Sequence, residues 1–189
     1  MIRIAILGDI GSGKSYVSNK FGYPVFNADN EVSKIYKFNK NIFKELNKIF
    51  PKDITSFPIN KKEISNVILI KPVNLKKIIR IIHKEVRKKL IIFLKKNKLK
   101  KIVILDIPLL LENKLNNKKD ILIFIDAKKN KITKNLKKRP NFNAKIIKKF
   151  RDLQLPVSFK KKKAHYIIKN NFTSKSVNDG VNKVLKNIL

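Results

Sequence analysis

Ile2-Arg3-Ile4-Ala5-Ile6-Leu7-Gly8-Asp9-Ile10-Gly11-Ser12-Gly13-Lys14-Ser15 opens the chain after its first Met. Apart from Arg3 the run to Leu7 is apolar and rich in Ile, and it stops at a glycine, as a buried parallel strand does. Gly8, four residues, then Gly13-Lys14-Ser15 is the spacing of a phosphate-binding loop, set between a strand and a helical pattern. Glycines permit the tight path that turns successive N–H groups onto phosphate oxygens. The helix beginning near Gly13 adds the positive end of its dipole. In such a loop Lys14 reaches the β- and γ-phosphates, and the Ser15 hydroxyl is a ligand for Mg²⁺. Gly8, Asp9, Ile10, Gly11, Ser12, Gly13, Lys14 and Ser15 are therefore the candidate nucleotide-binding residues, and the loop implies a nucleoside triphosphate. The alternative, a chance glycine-rich turn, does not account for the strand, the spacing and the Lys-Ser pair together.

Outward from the loop, 189 residues with 43% hydrophobic content are enough for one folded domain with a real core. The absence of cysteine excludes disulfides, thiolate metal sites and a cysteine nucleophile. The chain enters its first strand at once, so no signal peptide is expected, and its most apolar stretch, Ile102 to Leu111, is broken by Asp106 and too short for a bilayer. The expectation is a soluble cytoplasmic protein with no membrane partner. Lys plus Arg number 46 against 13 Asp plus Glu, a net charge of +33. Such a balance fits nucleic-acid binding or attraction of small polyanions. It also fits a coding drift toward A and T, which overuses Lys, Asn and Ile together. The lysines are dispersed and few aromatics lie among them to stack on bases, so drift is the main reading and nucleic acid the lesser one.

After the loop, Val17 and Phe21 share a helical face that Gly22 ends. Tyr23 to Phe26 reads as a second strand, placing Asp29 just past its C-terminal end, the edge where open α/β sheets bind ligands. Asp29 there is either a proton acceptor or a cap for a helix starting near Asn30. Phe43, Leu46, Ile49 and Phe50 mark a helix ended by Pro51, residues 54–60 a connector, and Ile64 to Ile70 a short helix. Leu75, Ile78, Ile79, Ile82, Val86, Leu90 and Phe93 mark a long one. The opposite face of the long helix carries Arg80, His83, Lys84 and Arg87, either an anion-reading cluster or a solvated basic face. Lys101 to Asp106 is the clearest buried strand, and its terminal acid suits a metal held through water or, failing that, a helix cap. Asp120 to Asp126 is a fourth strand. A helix follows over Lys128 to Lys138, then a break at Arg139-Pro140-Asn141. Phe142, Ile146, Phe150 and Leu153 stripe a further helix that Pro156 ends. His165 to Ile168 is the last strand, and Val177, Val181, Val184, Leu185 and Ile188 stripe the last helix. Strands alternating with helices give an α/β fold with a parallel sheet of about five strands. The expected division is a core of 1–29, 99–129 and 161–189, a helical acceptor-binding insertion at 30–98 and a helical lid at 130–160.

These residues resemble the dephospho-CoA kinase family along almost the whole chain and in order. Gly8-Asp9-Ile10-Gly11-Ser12-Gly13-Lys14-Ser15 is similar to G-G-I-G-S-G-K-S, Asn27-Ala28-Asp29 to D-A-D, and His83, Val86 and Arg87 to H-P-x-V-R. Asp106-Ile107-Pro108-Leu109-Leu110-Leu111-Glu112 is similar to D-I-P-L-L-F-E, the most specific of the matches. Gln154-Leu155-Pro156 resembles the Q-x-P closing the lid helix, and Ala164 to Asn170 resembles A-D-x-V-I-x-N. The resemblance implies a P-loop NTPase three-layer fold and ATP-dependent phosphorylation of the ribose 3′-hydroxyl of dephospho-CoA, with Mg²⁺. It implies Lys14, Asp29 and Arg151 as catalytic residues and Asn170 as a further nucleotide-binding residue. Asp29, His83, Arg87, Leu109, Glu112 and Gln154 would bind the acceptor, and Ser15 and Asp106 the metal. Asp9 replaces a loop glycine, Asn27 the first acid of the pair and Lys84 a proline. Phe150 stands at the lid arginine, with Arg151 one residue late, and Lys134 and either Lys138 or Arg139 stand for other lid arginines. The alternatives are another P-loop nucleoside or nucleotide kinase, argued against by the helical block and the P-L-L-L-E segment, and a nucleic-acid-binding ATPase. An inactive loop protein is a minor third, raised by Asp9.

Overall fold

The computed structural model describes residues 1–140 and 142–189; Asn141, the last residue of the expected break, lies outside the described residues. Contacts divide the chain into two compact units: Met1–Asn27 with Asn97–Asn143 and Arg151–Leu189, and Ala28–Lys96 with Ala144–Phe150. Of the segment 130–160, residues 144–150 count with the second unit and the rest with the first.

The first unit is built on a five-stranded sheet. Its strands are β1 (Ile2–Gly8), β2 (Val25–Asn27), β3 (Ile102–Asp106), β4 (Ile121–Asp126) and β5 (Tyr166–Lys169), in the order β2-β3-β1-β4-β5. Every pair is parallel, β1 against β3 with Ile4 opposite Ile104 and β1 against β4 with Ile6 opposite Ile123. A parallel strand covered on both faces needs apolar residues at every position, and all five residues of β3 are buried. β2 starts after Pro24, at Val25 rather than the expected Tyr23, two residues later, because proline has no N–H for the ladder. On one face, α1 (Lys14–Lys20) and α9 (Ser174–Ile188) bring Val17, Val177, Val181 and Val184 onto Ile4, Ile104, Ile123 and Ile168. At the N-terminal edge Arg3 forks onto Asp120, Nε to Oδ1 at 2.8 Å and Nη2 to Oδ2 at 3.0 Å. Burial pushes the Asp120 carboxyl up, while the Asn117 N–H and the Arg3 guanidinium pull it back.

The second unit is helical: α2 (Ala28–Phe38), α3 (Lys40–Ile49), α4 (Lys61–Ile70) and the long α5 (Pro72–Lys96). Asn39 and Asn60 cap α3 and α4 through their side-chain oxygens. The stripe on α5 is the packed face: Leu75, Ile78, Ile82, Val86 and Leu90 are buried, against Ile35, Leu46, Val67 and Ile68 among the other helices' buried residues. Lys149 Nζ reaches the Ile68 carbonyl at 2.9 Å, tying residues 144–150 to α4.

The connections differ from expectation in two places. After β4 come α6 (Lys129–Lys137) and α7 (Ala144–Asp152). Phe142 precedes α7 rather than lying on it, held in a turn by its N–H on the Arg139 carbonyl. Pro156 does not close α7, which ends at Asp152; it is the N-cap of a further short helix, α8 (Val157–Lys163). Proline suits a helix entry, where its missing N–H would have no partner. No helix among the described residues is long and apolar enough to cross a membrane.

Candidate active site

β1 delivers the loop at its C-terminal end. Backbone φ is +154° at Gly8 and +88° at Gly13. A Cβ on Gly8 would come within 2.6 Å of Ser12 Oγ, and one on Gly13 would collide with the Asn170 carboxamide. Both positions thus need glycine for contact as well as for backbone. Gly13 is the N-cap of α1 and supplies no side chain to its first N–H groups, which leaves them for a ligand. Ser12 is buried, and its hydroxyl finds no hydrogen-bond partner among the described residues. An orphaned hydroxyl inside a glycine loop is what a phosphate oxygen would satisfy. Lys14 Nζ folds over the loop and donates to the Asp9 carbonyl at 2.9 Å and the Gly8 carbonyl at 3.4 Å. Those neutral carbonyls hold the ammonium where an anion can take it over. Asn170, 2% exposed, braces the loop from β5: its Nδ2 donates to the Ser12 carbonyl at 2.9 Å, and its Oδ1 accepts the Phe172 N–H at 2.8 Å.

Register brings the second group together. Asn27 ends β2 directly opposite Asp106, which ends β3. Asn27 Nδ2 donates to Asp106 Oδ2 at 2.6 Å and to Ser15 Oγ at 3.4 Å. The two residues expected at the metal are therefore joined through one carboxamide. The sequence marks Asn27 only as the replacement for an acid; its place between Ser15 and Asp106 follows from the β2–β3 register.

Asp9, the acid inside the loop, accepts the Ile10 N–H at 2.6 Å, and its other oxygen stands 3.4 Å from Arg151 Nη2. Both border a cavity of about 370 Å³ that also meets Lys129, Thr133, Gln154 and Pro156. Gln154 and Glu112 spend polar groups on protein. Gln154 Nε2 reaches the Pro108 carbonyl at 3.5 Å, and Glu112 Oε1 accepts the Leu155 N–H at 2.9 Å. Leu109 is buried in the same segment. In the helical unit, Asp29 is exposed in the first turn of α2. It is not the cap of that helix, which begins one residue before it, at Ala28. His83, half-buried, and Arg87, exposed, stand one turn apart on α5.

Loop amides, an ammonium, a hydroxyl beside a carboxylate and a nearby guanidinium are an inventory for positioning a polyphosphate and spreading its charge. A family model described as dephospho-CoA kinase matches residues 2–176. The chain belongs to the dephospho-CoA kinase family. The dephospho-CoA kinase of Wolbachia pipientis wMel is 30% identical over 190 residues, spanning 98% of this chain and 97% of that relative. A crystal structure of a Thermus thermophilus protein covers 100% of this chain and 97% of its own, with a TM-score of 0.80 at 26% identity. The dephospho-CoA kinase from Campylobacter jejuni covers 98% and 96%, with a TM-score of 0.64 at 23% identity, a likeness of fold. Members of the dephospho-CoA kinase family transfer a phosphoryl group to an alcohol, and this chain is an enzyme of that class.

The family implies a divalent cation, and the residues fit one. Magnesium takes hard oxygen ligands and is ordinarily held by one or two carboxylates together with substrate phosphates. Among the described residues there is no cluster of three or more His, Cys, Asp or Glu side chains that would make an all-protein cage. A hydroxyl and a single buried carboxylate, Ser15 and Asp106, beside a phosphate loop suit Mg²⁺ arriving with a nucleotide.

Proposed function

We propose that this chain transfers the γ-phosphoryl group of ATP to the ribose 3′-hydroxyl of dephospho-CoA, giving coenzyme A and ADP, with Mg²⁺ and in the cytoplasm. The observation that carries the reading is that Asn27 and Asp106, at the C-terminal ends of adjacent strands, are joined through the Asn27 carboxamide to Ser15, which closes the loop of Gly8 to Ser15. The loop amides would hold the triphosphate, and Lys14 would leave the Gly8 and Asp9 carbonyls for the transferring group. Ser15 and, through water, Asp106 would hold Mg²⁺, which supplies charge neutralisation on the phosphates. Asp29 would take or orient the hydroxyl proton, two residues along the chain from Asn27. His83 and Arg87 would hold acceptor phosphates, and Leu109 would line the acceptor. Arg151 would neutralise charge that develops in transfer, with the 130–160 segment acting as a lid. Asn170 would serve the nucleotide by bracing the loop, and Glu112 and Gln154 would serve the acceptor by fixing the segments that carry them.

Asp29→Asn tests the assignment on which the chemistry rests. With Asp29 inside the first turn of α2, asparagine changes only its small interaction with the helix dipole. The expected result is a fall in kcat of ~10²-fold or more, with ATP binding and Tm close to wild type. A kcat near wild type would remove Asp29 from the proton transfer. The +33 charge favours one other reading, a nucleic-acid-dependent ATPase. That reading requires ATP hydrolysis stimulated by DNA or RNA, whereas the kinase reading requires ADP release that follows added dephospho-CoA.

A further inference from the structure

Four consecutive lysines, Lys160 to Lys163, close α8. Three are exposed, and only 2% of Lys160 reaches solvent. An ammonium is almost never fully buried without partners, and the partners here are specific. Lys160 Nζ donates to Gln154 Oε1 at 2.9 Å and stands 3.5 Å from Glu112 Oε1. The same Glu112 oxygen accepts the Leu155 N–H, and the other end of the Gln154 amide reaches the Pro108 carbonyl. One buried cation therefore clamps two stretches: residues 108–112, which run on from Asp106, and residues 154–155, which follow α7. One turn upstream of the clamp is Arg151, whose carbonyl accepts the Gln154 N–H at 2.9 Å and whose guanidinium meets Asp9 of the phosphate loop.

Lys160 does not border the cavity beside Asp9, and its ammonium is engaged by Gln154 and Glu112. We infer that Lys160 is a positioning residue for phosphoryl transfer: it fixes where the end of α7, with Arg151, meets the phosphate loop. The inference rests on the kinase reading of that loop. Misplacing a charge-stabilising group by about 1 Å is enough to cost ~10²-fold in rate. A single ammonium shared by an amide oxygen and a carboxylate oxygen sets the Gln154–Glu112 separation more tightly than any contact available to an apolar side chain.

The test uses Lys160→Met, Glu112→Gln and the double variant, each followed by Tm, kcat and KM for both substrates. Lys160→Met keeps the apolar stem and leaves the Glu112 carboxylate buried without its cation. The double variant removes that orphaned charge while keeping an oxygen for the Leu155 N–H. The expected result is a Tm restored in the double variant to that of Glu112→Gln, with kcat still about 10-fold or more below it and KM for ATP within about 3-fold. Recovery of kcat together with Tm would overturn the inference, as would normal turnover by Lys160→Met. Failure of both lysine variants to fold would reduce Lys160 to a structural prop and overturn it equally. Wild-type turnover on dephospho-CoA, measured alongside, reports on the kinase reading itself, so the two failures are separable.

Discussion

Arg151 meets Asp9 across 142 positions of sequence, Nη2 to Oδ2 at 3.4 Å. The only carboxylate of the phosphate loop thus faces a guanidinium from the end of α7. Asp9 is 20% and Arg151 43% exposed, and the contact is single rather than forked. Water screens such a pair to about 1 kcal/mol or less. The pair is therefore strong enough to orient Arg151 and weak enough to yield to a phosphate. The Asp9 charge, in turn, would work against an anion held in that loop.

Asp9→Asn separates these effects. The amide oxygen still accepts the Ile10 N–H, while the charge is lost. KM for ATP should fall about 3- to 10-fold at low ionic strength, and the gap should narrow in high salt. Initial rates at two salt concentrations decide it, and an unchanged or higher KM at low salt would mean that Asp9 does not oppose the nucleotide.

Asn27→Asp places a second carboxylate where a carboxamide now stands 2.6 Å from Asp106. Two carboxylates that close cannot both ionise without cost, so the pair should hold a proton more tightly than either acid alone. The variant should be less stable at neutral pH by about 1–3 kcal/mol. The loss should shrink in acid, because the folded state then keeps the proton the pair favours. Added Mg²⁺ should restore Tm in the variant and raise it much less in the wild type. Melting curves with and without Mg²⁺ check this without any activity assay. Equal Mg²⁺ shifts in the two proteins would count against a cation between Ser15 and Asp106.

Arg3→Leu strips the cation from a carboxylate that is 1% exposed. Breaking a buried pair in this way costs about 3 kcal/mol or more. Burial already raises the Asp120 carboxyl above its ordinary value, and Arg3 is one of the groups that lowers it. Without Arg3 the folded value climbs further. A raised folded value gives stability that is full below the unfolded carboxyl value and lost as pH rises through the folded one. The deficit of the variant should therefore be small in acid and grow toward neutral pH. Urea unfolding at both ends of that range measures it, and a pH-independent deficit would contradict the account of Asp120.

The strands were legible because a parallel sheet covered on both faces demands unbroken apolar runs, and Ile102 to Asp106 or Ile121 to Asp126 read no other way. α8 was not legible. Its apolar residues Val157 and Phe159 are 45% and 43% exposed, and its one fully buried side chain is a lysine, so hydrophobic spacing carries no trace of it. Nothing in a run of four lysines tells which of them is buried. The positions of Lys14 and Ser15 at the start of α1 and of Asp106 at the end of β3 could be read from loop spacing and a strand-terminal acid. The place of Asn27 could not, since it depends on β2 pairing in parallel with β3 so that position 27 falls opposite 106. The partner of Asp9 lay equally out of reach, because 142 positions separate the two residues and no local pattern links them.

The most direct test of the account is the product itself. The protein is incubated with ATP, Mg²⁺ and dephospho-CoA, and the acceptor is analysed by mass spectrometry with Lys14→Met as the control. The account predicts a mass gain of one phosphoryl group on dephospho-CoA, identical to authentic coenzyme A, with turnover at least ~10²-fold lower in the Lys14 variant. An unmodified acceptor, or product formed equally well by Lys14→Met, would contradict it.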